Sequence, residues 1–80
     1  MTSVKGKAVF ESVKNILEHY TEYEVREDSS LMGDLRLSSF DLAAIVAEFE
    51  DRFSITVDDR DIVNLVTVQD VIDYLEKKTR

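Results

Sequence analysis

The stretch Ser38-Ser39-Phe40-Asp41-Leu42-Ala43-Ala44-Ile45-Val46-Ala47-Glu48-Phe49-Glu50-Asp51-Arg52-Phe53 decides the fold class of this chain. Leu42, Ile45, Val46, Phe49 and Phe53 recur at i, i+3, i+4, i+7 and i+11, which on a helical period draws one continuous apolar stripe. Ser38, followed three residues later by Asp41, marks where that helix starts. The hydroxyl oxygen can accept an early helix N–H while the acid reaches back to the N–H of the cap residue. The spacing therefore predicts a helix whose first residue is Ser39. Beside the core stripe, Phe40, Ala44 and Ala47 trace a second apolar line, flanked by Asp41, Glu48 and Asp51. Two readings of that line stand. It is either a docking surface, where small alanines admit a partner and the acids meet basic residues, or one edge of a broad buried arc that Phe40 completes.

Working outward towards the C-terminus, Ile55 and Val57 lead into a short helix expected over about Asp59 to Asn64. Thr67 with Asp70 then repeats the capping pattern. Val68, Val71, Ile72 and Leu75 supply an apolar face for a last helix. Its charged end is Glu76, Lys77, Lys78 and Arg80, where basic side chains suit the negative end of the helix dipole. Towards the N-terminus, Val9, Val13, Ile16, Leu17 and Tyr20 share one face of a helix expected over about Val4 to Tyr20. From Thr21 to about Leu37 the apolar residues lose any period, which reads as a long loop pinned to the core by Leu31 and Leu35. Loops of that length inside compact domains are uncommon and often functional. With no proline and only two glycines in the chain, the whole reads as all-α.

Composition narrows the function. Eighty residues suffice for one domain with one small core, taken here as residues 1–80. Seventeen acidic residues against ten basic ones give a net charge of −7, which argues against a nucleic-acid-binding role and favours partners with basic docking surfaces. No run approaches the roughly 20 apolar residues of a membrane span, and Met1 to Phe10 lack the apolar core of a cleavable leader. A cytoplasmic monomer is the expectation. The absence of cysteine removes any disulfide framework and any encoded thiol nucleophile. His19, the only histidine, has no Cys to pair with and reads as a partly exposed helix residue. Asp58, Asp59 and Asp61 lack the spacing and glycine of an EF-hand and support no more than loose cation binding. Ser39 stands apart. A phosphate ester on its oxygen would meet the free N–H groups and positive dipole of a helix N-terminus, although helix capping alone explains serines there equally well.

The run Asp34-Leu35-Arg36-Leu37-Ser38-Ser39-Phe40-Asp41 resembles the acyl carrier protein motif D-L-G-x-D-S-L-D, with Ser39 on the modified serine. The similarity continues through Glu50-Asp51-Arg52-Phe53 and Val66-Thr67-Val68-Gln69-Asp70-Val71-Ile72-Asp73-Tyr74, so that residues 29 to 76 match in one register without a gap. What the resemblance implies is an antiparallel bundle of three main helices plus one short helix. It also implies a phosphopantetheinyl transferase that moves phosphopantetheine from coenzyme A onto Ser39, supplying the missing thiol. Acyl-loading, acyl-transfer or condensing enzymes would then exchange thioester cargo with a non-catalytic carrier, in fatty acid, polyketide or related specialised biosynthesis. Phe40, Ala44 and Ala47 with Asp41, Glu48, Glu50, Asp51 and Asp59 would form the docking set. The chain departs from the motif at Ser38, where the family has Asp, near Arg36, where it has Gly, and at Phe40, where it has Leu. Ala44 and Arg52 replace acids common in fatty-acid carriers, which implies a restricted partner set. The competing expectation is an unmodified helical interaction module with a carrier-like fold.

Overall fold

Both capping signals form as the residues dictate. Ser38 and Thr67 adopt extended backbone (φ −89°, ψ 170° and φ −116°, ψ 167°), and each side chain accepts the N–H of the acid three residues on, whose carboxylate accepts the N–H of the cap. Each box satisfies helix-start donors that would otherwise lack partners. The computed structural model describes residues 3–79, in which α1 (Ser3–Leu17), α2 (Ser39–Phe53), α3 (Asp59–Ile62) and α4 (Val68–Lys78) follow in chain order. The all-α reading with three main helices and one short one is correct. Among the described residues there is no β-strand beyond one isolated bridge between Ser30 and Thr67, and no helix is long and apolar enough to cross a membrane. Arg80, part of the expected charged end, lies outside the described residues.

α1 packs against both α4 and α2. The shared core holds Val13, Ile16, Leu17, Ile45, Phe49, Val68, Val71, Ile72 and Leu75, with Leu42 and Phe53 half-buried against it. Two boundaries differ from expectation. α1 ends at Leu17 rather than Tyr20, because the chain tightens there: the N–H groups of His19 and Tyr20 donate to Ile16 and Leu17 carbonyls three residues back. Tyr20 therefore leaves the helix and crosses to α2, where its hydroxyl donates to Glu48. α3 stops at Ile62, and Asn64 lies in a turn closed by its N–H to the carbonyl of Asp61.

The long loop is tied down along much of its length. Leu31 N–H donates to Val66 O (2.8 Å), Val68 N–H to Ser29 O (2.9 Å) and Gln69 N–H to Glu27 O (2.8 Å), so the loop carbonyls satisfy the free donors at the start of α4. Leu31 and Leu35 are buried as expected, and so are Val25 and Leu37. A reciprocal pair, Ser30 N–H to Asp34 Oδ2 (2.9 Å) and Asp34 N–H to Ser30 Oγ (2.8 Å), closes a tight turn. Gly33 sits inside it, where a Cβ would run into Ser30 Oγ.

The short α3 is latched to α4. Tyr74 donates its hydroxyl to Asp61 Oδ2 at 2.7 Å, and burial together with that carboxylate pushes the phenol up from 10.0 to about 12. The folded protein thus keeps the Tyr74 proton where the unfolded chain has released it. The contact stabilises fully below pH 10 and is lost as pH rises through about 12. Denaturant unfolding across that window should show wild type losing stability steeply and Tyr74→Phe losing less. Equal pH slopes for the two proteins would refute the latch.

Candidate functional site at the start of the second helix

Two adjacent serines open α2, and the backbone assigns them different work. Ser38 is the cap: its Oγ accepts Asp41 N–H at 3.1 Å, and its own N–H donates to Asp41 Oδ2 at 2.9 Å. Ser39 is the first helical residue, exposed, and its hydroxyl makes no hydrogen bond among the described residues. The first intrahelical bond runs from Leu42 N–H to Ser38 O at 3.0 Å. The N–H groups of Ser39 and Phe40 are left without intrahelical acceptors, beside the positive end of the α2 dipole. A phosphodiester on Ser39 Oγ fits this setting, since free donors and dipole both favour the anion and an exposed oxygen can be reached by another enzyme.

The serines are held from both sides. Leu35 and Leu37 are buried immediately upstream, and Leu37 N–H donates to Leu31 O at 3.0 Å. Ile45, Val46 and Phe49 are buried downstream. Between the two anchors, Arg36 takes a left-handed backbone (φ 57°), a conformation that glycine adopts freely and a side chain with a Cβ does not. The glycine of the resembling motif stands near this position, which gives that residue type a backbone reason. Arg36 lays its guanidinium over the Tyr23 ring, 5.5 Å from the centroid. Neither the left-handed backbone nor the cation–π contact leaves a signal in hydrophobic periodicity.

The second apolar line of α2 is on the surface. Phe40 is 87% exposed, and Ala44 and Ala47 are exposed, so Phe40 does not complete the core. The acids around it differ in their freedom. Asp41 holds the cap, Glu48 accepts the Tyr20 hydroxyl, and Glu50 accepts Val57 N–H at 2.8 Å, tying down the segment after α2. Asp51 and Asp59 are exposed and unpaired among the described residues. Met32, Val63 and Val66 are further exposed apolar side chains that periodicity did not single out.

The remaining candidates are absorbed structurally. Asp58 caps α3 by accepting Arg60 N–H (2.9 Å) and pairs with its guanidinium (3.3 Å), which holds the Asp58 carboxyl below the usual carboxylate range. Asp61 accepts Tyr74, and among the described residues no group of three or more His, Asp or Glu is placed to hold a metal ion. His19 lies in the turn after α1 rather than in a helix, exposed on the rim of an open recess with Tyr20 and Tyr23. Between α1, α2, α3, α4 and the long loop, an apolar void lined by Leu17, Leu31, Ile45, Phe49, Ile62 and Val71 among others measures about 10 Å³. That is about the space of one water, so the core is closed at this point.

Comparison with known proteins adds the following. The family model described as "Phosphopantetheine attachment site" matches residues 11–75. An acyl carrier protein from Thermotoga maritima is 38% identical over 73 residues, covering 88% of this chain and 90% of that protein. One from Campylobacter concisus is 32% identical over 73 residues, covering 88% and 95%. One from Bdellovibrio bacteriovorus is 35% identical over 74 residues, covering 89% and 95%.

Proposed function

The chain belongs to the acyl carrier protein family, whose members bear a covalent phosphopantetheine, and from that premise we propose that residues 1–80 form one carrier domain modified at Ser39. The observation that carries the assignment is the division of labour between the serines: Ser38 Oγ is committed to the cap, while Ser39 Oγ is exposed and unbonded on the first helical residue. When attached, the arm supplies a thiol, which this cysteine-free chain does not encode, and with it a thioester acyl donor. The protein's own residues hold the attachment point. The Ser38–Asp41 box fixes the helix start, the buried Leu35 and Leu37 fix the approach to it, and the free N–H groups favour the phosphate.

Catalysis in this reading belongs to the partners. The chain is a non-catalytic, cytoplasmic monomer that a phosphopantetheinyl transferase modifies, and that presents acyl, polyketide or aminoacyl intermediates to loading, transfer or condensing enzymes. Phe40, Ala44 and Ala47 serve as the apolar contact, with acids around them to meet basic residues. Asp51 and Asp59, exposed and unpaired among the described residues, are the acids freest to do so, whereas Asp41, Glu48 and Glu50 also serve the fold. Incubation with coenzyme A, magnesium and a broad-specificity transferase, followed by intact mass and fragmentation, tests the assignment. One phosphopantetheine-sized increase on Ser39 is expected. No increase with any transferase would favour the unmodified interaction module instead.

Loading should also depend on charge. Asp51→Asn with Asp59→Asn is expected to raise the transferase's KM for the carrier several-fold at low salt and to flatten the dependence on ionic strength. Identical salt profiles for variant and wild type would remove these two acids from the docking set.

A further inference from the structure

Arg36 is a cation in an unusual state. It lies three residues before the attachment serine in a chain of net charge −7, on a left-handed backbone that residues with a Cβ avoid. Its guanidinium carbon lies over the Tyr23 ring, 5.5 Å from the centroid, and Tyr23 is itself half-exposed. The ion pairs among the described residues join Arg26 to Glu24 and Arg60 to Asp58. Arg36 joins none of them, although Glu18 and Glu22 line the same open recess. The cation–π contact therefore holds the charged end of Arg36 beside the ring while its N–H donors have no hydrogen-bond partner among the described residues. A fork of donors held this way suits an in-plane carboxylate, which it can take with two parallel hydrogen bonds.

We infer that Arg36, steadied by Tyr23, is a specificity-determining contact for an acidic side chain of the phosphopantetheinyl transferase that modifies Ser39. This rests on the proposed attachment at Ser39. The transferase is the partner to expect because its active site must reach Ser39 Oγ itself, whereas later enzymes meet the cargo at the far end of a flexible arm. An interface of ordinary size covers about 800 Å² on each partner, which takes in a residue three positions away. The charge pattern also fits: Asp41, Glu48, Glu50, Asp51 and Asp59 of the docking set call for basic partners, whereas Arg36, three residues before Ser39, calls for the opposite sign. A transferase built only to read acids would meet a repulsive contact there, so the residue both attracts its matched enzyme and excludes others.

The test is steady-state loading of the apo-protein by the transferase from the same source, comparing wild type with Arg36→Gly, Arg36→Lys and Arg36→Glu. Glycine accepts the positive φ, so Arg36→Gly keeps the backbone and removes only the side chain. The expected result is a KM about tenfold higher for Arg36→Gly with kcat unchanged, as loss of a charge-assisted contact gives. Arg36→Glu should be higher still and Arg36→Lys intermediate; Arg36→Lys and Arg36→Glu should unfold at denaturant concentrations close to wild type, and Arg36→Gly at the same or a higher one, since glycine relieves the left-handed backbone. Equal KM for wild type, Arg36→Gly and Arg36→Glu would overturn the inference. So would a rise that follows lost stability across the series, since that would make Arg36 a loop-holding residue only. Failure of the wild type itself to gain mass would instead overturn the Ser39 assignment on which the inference rests.

Discussion

Ser39→Ala is expected to take up no phosphopantetheine at all while unfolding at the same denaturant concentration as wild type, and Ser38→Ala is expected to do the reverse. The reason is the separation of the two hydroxyls. Ser38 Oγ accepts Asp41 N–H at 3.1 Å, so its removal strips α2 of its cap and costs about 1 kcal/mol. Loading of Ser38→Ala should continue, because the nucleophilic oxygen one residue later is untouched. Ser39 caps nothing and is exposed. Its truncation removes the acceptor of the group and no contact of the fold. Intact mass after transferase treatment and urea unfolding, run on both variants, check the pair of outcomes. A Ser39→Ala protein that still gains the mass would place attachment on another hydroxyl, and a Ser38→Ala protein of unchanged stability would mean that the cap contributes nothing.

Phe49→Ala should have the largest effect on stability. Phe49 is 3% exposed, lies in the shared core, and meets Phe53 with ring centroids 6.4 Å apart and planes tilted by 59°. Truncating a buried phenylalanine costs about 3 to 5 kcal/mol, the lost transfer energy plus the cavity left behind. A domain with a core this small holds about 5 kcal/mol in total. The variant should therefore be largely unfolded or close to it by far-ultraviolet circular dichroism at 25 °C, and α2, which carries Ser39, should be lost with the rest. A midpoint within experimental error of wild type would show that Phe49 lies outside the cooperative core.

How much of this was legible beforehand depends on which interaction set each feature. Ile45, Val46 and Phe49 fall on one helical face by spacing alone, and burial on that face follows from the hydrophobic effect wherever the helix packs. The two capping boxes were equally legible, since serine or threonine and an acid three residues apart close on each other through local backbone geometry. Helix ends were read less well. Tyr20 continues the apolar spacing of α1 yet lies beyond it, after the chain tightens at Leu17, and its hydroxyl meets Glu48, a contact across 28 residues that spacing does not show. The order of the long loop was only half legible: Leu31 and Leu35 could be picked out as anchors, but its bonds to Val66, Val68 and Gln69 join segments far apart in the chain.

At the site, the sequence by itself determined the helix, its cap, and the serine that follows the cap, because all three rest on contacts within four residues. Whether Phe40 faces core or solvent was open on spacing, and its 87% exposure was decided by which face of α2 the rest of the bundle covers. The same holds for the acids: Glu48 and Glu50 look alike in the sequence, and tertiary structure gives one a tyrosine hydroxyl and the other the Val57 N–H. The left-handed backbone of Arg36 was likewise decided by the fold. It joins Leu35, whose N–H is held by Ser30 O, to Leu37, whose N–H is held by Leu31 O, and these bonds across the loop are not readable from residue spacing.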